Sequence, residues 1–197
     1  MKPVIALLTD FGLTDTYVGI MKGVIAGIAP DATVIDLTHD IRPQDVRHGA
    51  YALKIAVPYF PAETIFVTVV DPGVGSNRQP IAIRANHQTF IAPNNGVLSH
   101  IVHDYGAEFA VLLENEKYRL KAISSTFHGR DIFSPAAAHF AHGVKFEDLG
   151  RKIANEELVT FSPQKNEPLD ETSWRGEILH IDHFGNIVLN ITHEEWS

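Results

Sequence analysis

The chain has 197 residues, room for one good core and a small appendage, with a formal net charge of −8 and no cysteine. Disulfides and thiolate chemistry are excluded, and without a basic stripe to displace counterions a nucleic-acid partner is not expected. No apolar run approaches the roughly 18–20 residues of a membrane helix, so a cytoplasmic protein is the expectation, with an acidic surface compatible with a cationic small ligand.

The apolar run over 4–8 reads as a first strand. It resembles a signal peptide only at first sight, being shorter than the roughly 7–15 residues of a hydrophobic leader core. Thr14 or Asp15 is placed to cap a helix over 17–28, which Pro30 closes. A strand over 33–37 follows, then a helix to 57 with Asp45 as its cap and Pro58 as its stop. The β-branched and aromatic run over 65–70 has the composition of a strand buried on both faces. This β-α-β-α-β order with short connections predicts a mainly parallel sheet flanked by helices.

Further on, 81–84 and 89–92 read as a hairpin about Asn86 and His87, with a helix over 97–105 and strands over 109–113 and 118–121. An alanine-rich helix centred on 135–140 ends at Gly143. The stretch 162–173 is polar and proline-containing and reads as a linker. Strands over 177–181 and 187–191 come after it, and two strands alone cannot bury a core. The expected organisation is an α/β domain over 1–161, a linker over 162–173, and over 174–197 the start of a small all-β domain, incomplete in this sequence.

Three polar clusters fall at strand ends or loop-to-helix junctions: Thr9-Asp10-Phe11-Gly12 with Asp15, Asp71-Pro72-Gly73 with Gly75 and Arg78, and Thr126-Phe127-His128-Gly129-Arg130-Asp131. In a parallel sheet the carboxyl ends of the first and third strands share an edge, so Asp10 and Asp71 can face one crevice. Neither glycine-containing loop is a dinucleotide or P-loop fingerprint. A carboxylate, a guanidinium and an imidazole converging on a pocket suit the activation of water. The plainer alternatives are turn caps for Asp10 and Asp71, a surface pairing for Arg78 and a backbone-bonded loop role for His128. Histidines paired at i, i+3 (His100 and His103, His139 and His142, His180 and His183) keep a metallohydrolase as a competing reading, although none has the His-Glu-x-x-His pattern.

These clusters recur in order with others: Leu8-Thr9-Asp10-Phe11-Gly12 with Asp15 and Met21-Lys22-Gly23; Asp36, Thr38-His39 and Ile41; Val70-Asp71-Pro72-Gly73-Val74-Gly75 with Arg78; Ala92-Pro93 and Asn95-Gly96; Thr126 to Phe133; and Ile181-Asp182 with Phe184-Gly185-Asn186. Together, over essentially the whole chain, they closely resemble the S-adenosylmethionine hydroxide adenosyltransferases, relatives of the fluorinase and chlorinase enzymes. The resemblance implies hydrolysis of S-adenosylmethionine to adenosine and methionine by attack of water or hydroxide on the ribose C5′, with no cofactor and no metal. It carries Asp71, Arg78 and His128 over as the catalytic triad and Asp10 as the ligand of the ribose hydroxyls. Asn186 would contact the ligand from the second domain, with Phe127 and Ser162 as pocket wall. It also implies a homotrimer, each site lying between one subunit's first domain and a neighbour's second. Halogenation is the rival within this resemblance, but an anionic Asp71 and a bulky His128 would repel and crowd a halide, and the hairpin over 81–89 is tight where the fluorinase carries an insertion. A non-catalytic sensor of adenosine or S-adenosylmethionine is the alternative from another class.

Overall fold

β1 (Val4–Thr9), β2 (Thr33–Thr38) and β3 (Ile65–Val69) are parallel strands, with β1 in the middle. In the computed structural model, which describes residues 2–162, 166–170 and 172–196, the chain divides into two compact units, Met1–Thr160 and Phe161–Ser197. The first unit is built on a seven-stranded sheet of order β2-β1-β3-β5-β4-β6-β7. β5 (Gln88–Pro93) continues the parallel set beside β3, while β4 (Pro80–Ala85), β6 (Phe109–Leu112) and β7 (Arg151–Lys152) add antiparallel pairings. The sheet is therefore mixed and mostly parallel at the end that carries β1 and β3.

Side-chain alternation along the strands divides the core into two halves. Ile5, Leu7, Val67 and Val69 face Met21 and Ile25 of α1 (Tyr17–Ile28) and the alanines of α4 (Ser134–Ala141). Ala6, Leu8, Phe66 and Val70 face Leu53 of α2 (Val46–Ala56) and Ile101 of α3 (Ser99–Tyr105). Covered on both faces, these strands take apolar or β-branched residues throughout, which explains the runs over 4–8 and 65–70.

Asp45 caps α2 as its position suggests, accepting a 2.9 Å hydrogen bond from the His48 amide. The expected side-chain cap of α1 is not formed by Thr14 or Asp15: Thr16 is the capping residue and makes no side-chain bond. Gly12, at φ 65°, instead carries the chain sideways and donates its amide to the His39 carbonyl at 2.8 Å. The hairpin turns at Asn86 and His87 with φ of 51° and 57°, the two positive values of a tight turn whose twist matches its strands. The strand expected over 118–121 is absent. Glu116–Tyr118 forms a 3-10 turn capped by Asn115, the Leu120 amide bonds the Asp131 carbonyl, and β7 takes the sheet edge beside β6.

In the second unit, β8 (Glu167–Pro168), inside the stretch expected to be a linker, pairs with β9 (Trp174–Arg175). β10 (Ile178–Ile181) and β11 (Ile187–Leu189) form an antiparallel pair, and α5 (His193–Trp196) follows. The Asp182 carboxylate closes the turn by accepting the amides of Phe184 and Asn186.

Candidate active site

Asp71 stands two residues beyond the end of β3, and the loop after it folds back on itself. Val74 donates its amide to the Asp71 carbonyl at 3.2 Å, and Ser76 bonds the Gly73 carbonyl through both amide (3.1 Å) and hydroxyl (2.6 Å). This compact turn returns the chain to Arg78, which grips Asp71 with two nitrogens: Nε donates to Oδ1 at 3.0 Å and Nη2 to Oδ2. The pair is almost wholly enclosed, with side chains 6% and 4% exposed for Arg78 and Asp71. Charges this deep persist only when paired and hydrogen-bonded, and a forked guanidinium–carboxylate contact meets both needs. The guanidinium also lies 5.4 Å from the centre of the Phe133 ring. Its Nη1 is buried with no hydrogen-bond partner among the described residues.

His128 completes the set from the other side. Its Nδ1 lies 2.9 Å from Arg78 Nη2. A guanidinium can only donate, so Nδ1 accepts and the proton of the neutral ring sits on Nε2. Burial, and then the Arg78 charge, hold the imidazole pKa below its ordinary 6.5, against weaker opposing effects of Asp71, Asp131 and the Ser124 carbonyl. His128 immediately precedes the π-helical turn Gly129–Phe133. Its loop is fixed by fully buried Asp131, which accepts the Ser124 amide at 2.7 Å and pairs with Arg130.

A pH profile follows from this arrangement. Protonating His128 would set an N–H against the Arg78 N–H groups, so the contact with Arg78 forms with the neutral ring. Activity measured over roughly pH 5 to 9 is expected to hold its plateau through pH 6.5 and fall only below it. Stability has the same sign. The unfolded chain takes up the proton near pH 6.5 and the folded chain only at lower pH, so His128 withdraws stability as pH falls between those values. An acid limb centred above 6.5 would contradict this geometry.

Asp10 follows β1 directly, and Thr9 pairs in register with Val69, so Asp10 and Asp71 leave neighbouring strands at the same edge. Asp10 Oδ2 accepts the Gln44 amide at 2.7 Å. Burial raises its carboxyl pKa above 3.8, with a further push from Asp71 and against the amide bonds that favour ionisation. Gln44 adopts φ 65°, unusual for a residue with a side chain, and so turns its N–H toward the carboxylate.

Asp10, Asp71 and His128 line a common cavity of about 310 Å³ with Phe11 and Tyr17 on one side and Pro43 and Gln44 on another. The volume is at the low end of the roughly 300–1,000 Å³ of small-ligand sites. Phe11, Tyr17 and Phe127 meet edge to face, with ring centres 5.0–5.9 Å apart. Phe127 itself is buried behind Phe11 and Tyr17 and lies beneath Arg130.

The structure thus joins Asp71, Arg78 and His128 in one hydrogen-bonded set and brings Asp10 to the same cavity. Ser162 and Asn186 belong to the second unit, where Ser162 is exposed and the Asn186 amide bonds Asp182 Oδ2 at 2.7 Å. Phe11, Tyr17, Pro43 and Gln44 were not singled out as cavity residues. The adjacency of Phe11 to Asp10 was the one available signal, since the backbone angle of Gln44 has no residue signature. Among the described residues no group of three or more histidines, aspartates or glutamates is placed to hold a metal ion, and none of the helices is long and apolar enough to cross a membrane.

Fold and site define an α/β protein with a small-molecule crevice at the carboxyl edge of its parallel strands, furnished with a buried carboxylate–guanidinium–imidazole set. Residues 5–150 match the SAM hydroxide adenosyltransferase N-terminal domain. The chain is 41% identical over 191 residues to the (R)-S-adenosyl-L-methionine hydrolase of Salinispora arenicola, covering 96% of this chain and 72% of that protein. It superposes with a TM-score of 0.91 and 38% identity on the crystal structure of an uncharacterized conserved protein from Thermotoga maritima, covering 98% of this chain and 73% of that one. The fluorinase of Nocardia brasiliensis is more distant, 29% identical over 214 aligned positions that cover 96% of this chain and 71% of that protein. That alignment is longer than the 197-residue chain, so the fluorinase carries extra residues within it. The chain belongs to the SAM hydroxide adenosyltransferase family.

Proposed function

We infer that this protein is an enzyme that hydrolyses S-adenosyl-L-methionine to adenosine and L-methionine. The observation that carries this reading is the enclosed Asp71–Arg78–His128 contact set beside the cavity that also holds Asp10. It is supported by relatives at 38–41% identity that bear the name (R)-S-adenosyl-L-methionine hydrolase.

The chemistry is in-line displacement. A water oxygen forms a bond to the ribose C5′, the C5′–S bond breaks, and its electron pair goes to sulfur, which leaves as the neutral thioether of methionine. No general acid is needed for such a leaving group. The water proton passes to the Asp71 carboxylate. Free water is far too weak an acid to ionise unaided near neutral pH, so hydroxide character must be stabilised, and the Arg78 cation supplies the positive charge a metal gives elsewhere. His128, its Nδ1 lone pair occupied by Arg78, orients that charge and is not the base. Charge is annihilated on the way to the transition state, which a half-enclosed pocket favours over bulk water.

Asp10 takes the ribose hydroxyls. We propose a homotrimer as the working assembly and no metal cofactor. The test is to incubate purified protein with each sulfonium epimer of the substrate in the presence of a chelator. Adenosine and methionine released in equal amounts support the reading. Tight binding without product in a single turnover would make the protein a sensor, and loss of activity on chelation would make it a metallohydrolase.

Replacing Asp10 with asparagine separates binding from stability. The raised pKa means the ionised carboxylate destabilises the fold at neutral pH, so the Asp10→Asn protein is expected to melt at a higher temperature. Losing charge-assisted bonds to the ribose should at the same time raise KM by about tenfold or more. Calorimetry and steady-state kinetics on the same preparation check both.

A further inference from the structure

The motif of Asp36 and His39 has no part in the chemistry above, yet it leads to the floor of the crevice. His39 has a side chain only 1% exposed. Its Nε2 lies 3.0 Å from Asp36 Oδ1 and its Nδ1 2.9 Å from the hydroxyl of Thr9, which is fully buried. Burial works to raise the Asp36 pKa, but hydrogen bonds from His39 and Lys22 outweigh it and keep the carboxyl below its ordinary value. An ionised Asp36 can only accept, so Nε2 donates to it and Nδ1 presents its lone pair to Thr9. The Thr9 hydroxyl then gives its proton to His39 and keeps an oxygen lone pair for the Phe11 amide, 3.2 Å away.

Two backbone bonds run alongside this relay. Gly12 donates to the His39 carbonyl at 2.8 Å and Ile41 to the Thr9 carbonyl at 3.4 Å. The loop after β1 and the loop after β2 are thereby buckled together. The first carries Asp10 and Phe11, the second Pro43 and Gln44, and all four line the cavity, whereas Thr9, Asp36 and His39 do not. The Gln44 amide bond to Asp10 joins the same two loops inside the cavity.

We propose that Asp36, His39 and Thr9 are positioning residues, a polar relay that locks these two loops into one rigid wall and so sets the aim of the Asp10 carboxylate. The proposal rests on reading this crevice as the nucleoside site. Its physical content is that a buried imidazole with both nitrogens engaged tolerates one arrangement of its partners, so the loops cannot slide past one another without breaking a buried hydrogen bond. The reacting centre, held by Asp71 and Arg78 on another segment, does not depend on it.

The decisive variant is Thr9→Val, which keeps the branched shape suited to a strand and removes the hydroxyl, with Thr9→Ser as the rescue that restores it. In hydrolysis assays Thr9→Val is expected to raise KM about tenfold while kcat changes less than about threefold, and Thr9→Ser is expected to return KM to the native value. In the ligand-free protein the Phe11 amide of Thr9→Val should exchange with solvent about tenfold faster than in the native chain. Asp36→Asn, altered at the solvent end where the fold is least at risk, should shift KM and Phe11 exchange in the same direction. A folded Thr9→Val protein with native KM and native Phe11 protection overturns the relay, as does a loss confined to kcat or a Thr9→Ser protein that fails to recover. If the native protein turns over no S-adenosylmethionine, the hydrolase reading fails by itself. Phe11 exchange still decides the relay then, faster in Thr9→Val supporting it and unchanged overturning it.

Discussion

Asp71→Asn is expected to lower kcat by about a thousandfold or more while substrate still binds, a loss in the upper part of the range for removing a general base together with the charge that orients it. The substitution is isosteric, so the Arg78 fork keeps one acceptor oxygen but loses the anion that balances it. Arg78→Ala is the harsher partner experiment. It leaves an Asp71 carboxylate 4% exposed with no cation, and breaking a buried pair from one side destabilises by about 3–5 kcal/mol. That protein is expected to lose turnover and to melt much earlier. Arg78→Lys separates the two effects: it returns the charge but not the fork, since an ammonium cannot bond both Asp71 oxygens and His128 Nδ1 in one plane. Stability should largely recover and turnover should not. Product formation in rapid-quench experiments, with melting temperatures for each variant, checks the set, and near-native turnover in Asp71→Asn would remove Asp71 from the mechanism.

The legible part of this structure was the part set by local chemistry. Apolar runs bounded by Asp10 and Asp71 marked strands buried on both faces, and Asp45 marked a helix start. The Asp-Pro-Gly turn made the return of Arg78 to Asp71 geometrically reasonable, and the structure makes that contact. Where the sequence misled, a distant partner had taken over. Residues 118–121 have strand-like composition, but the Tyr118 and Arg119 amides turn back to the Asn115 and Glu116 carbonyls, the Leu120 amide goes to the Asp131 carbonyl, and β7 already occupies the edge they would join. Thr14 and Asp15 are good caps by type, but the helix, which starts at Tyr17 as expected, has Thr16 in the capping place and no side-chain bond there. Gln44 gave no sign of its role, because what matters there is a backbone angle and an N–H, neither encoded by a glutamine side chain. The contact of Thr9 with His39 was equally hidden, for it joins residues 30 apart that meet only once β1 and β2 are side by side.

Gly75→Ala is expected to damage catalysis far more than folding. The glycine has φ 75°, and a Cβ placed there would lie 2.2 Å from the Ser125 carbonyl oxygen. Relief cannot come from rotating a side chain, because the obstacle is backbone. The loop that carries Asp71 and Arg78 and the loop that carries His128 must therefore move apart. The left-handed backbone adds strain of about 1–2 kcal/mol for any residue with a Cβ. Of residues 124–128 only Phe127 belongs to the large apolar clusters, whose other members lie outside the clash, so the melting temperature should fall by only several degrees. A displacement near 1 Å at the contact of Arg78 with His128 is another matter, since misplacement on that scale lowers rates by about a hundredfold. Kinetics and calorimetry on Gly75→Ala test the argument directly. A stable variant with native kcat/KM would mean that the close approach of the two loops does not hold the catalytic set together, and the dependence of activity on the Arg78–His128 contact would have to be given up.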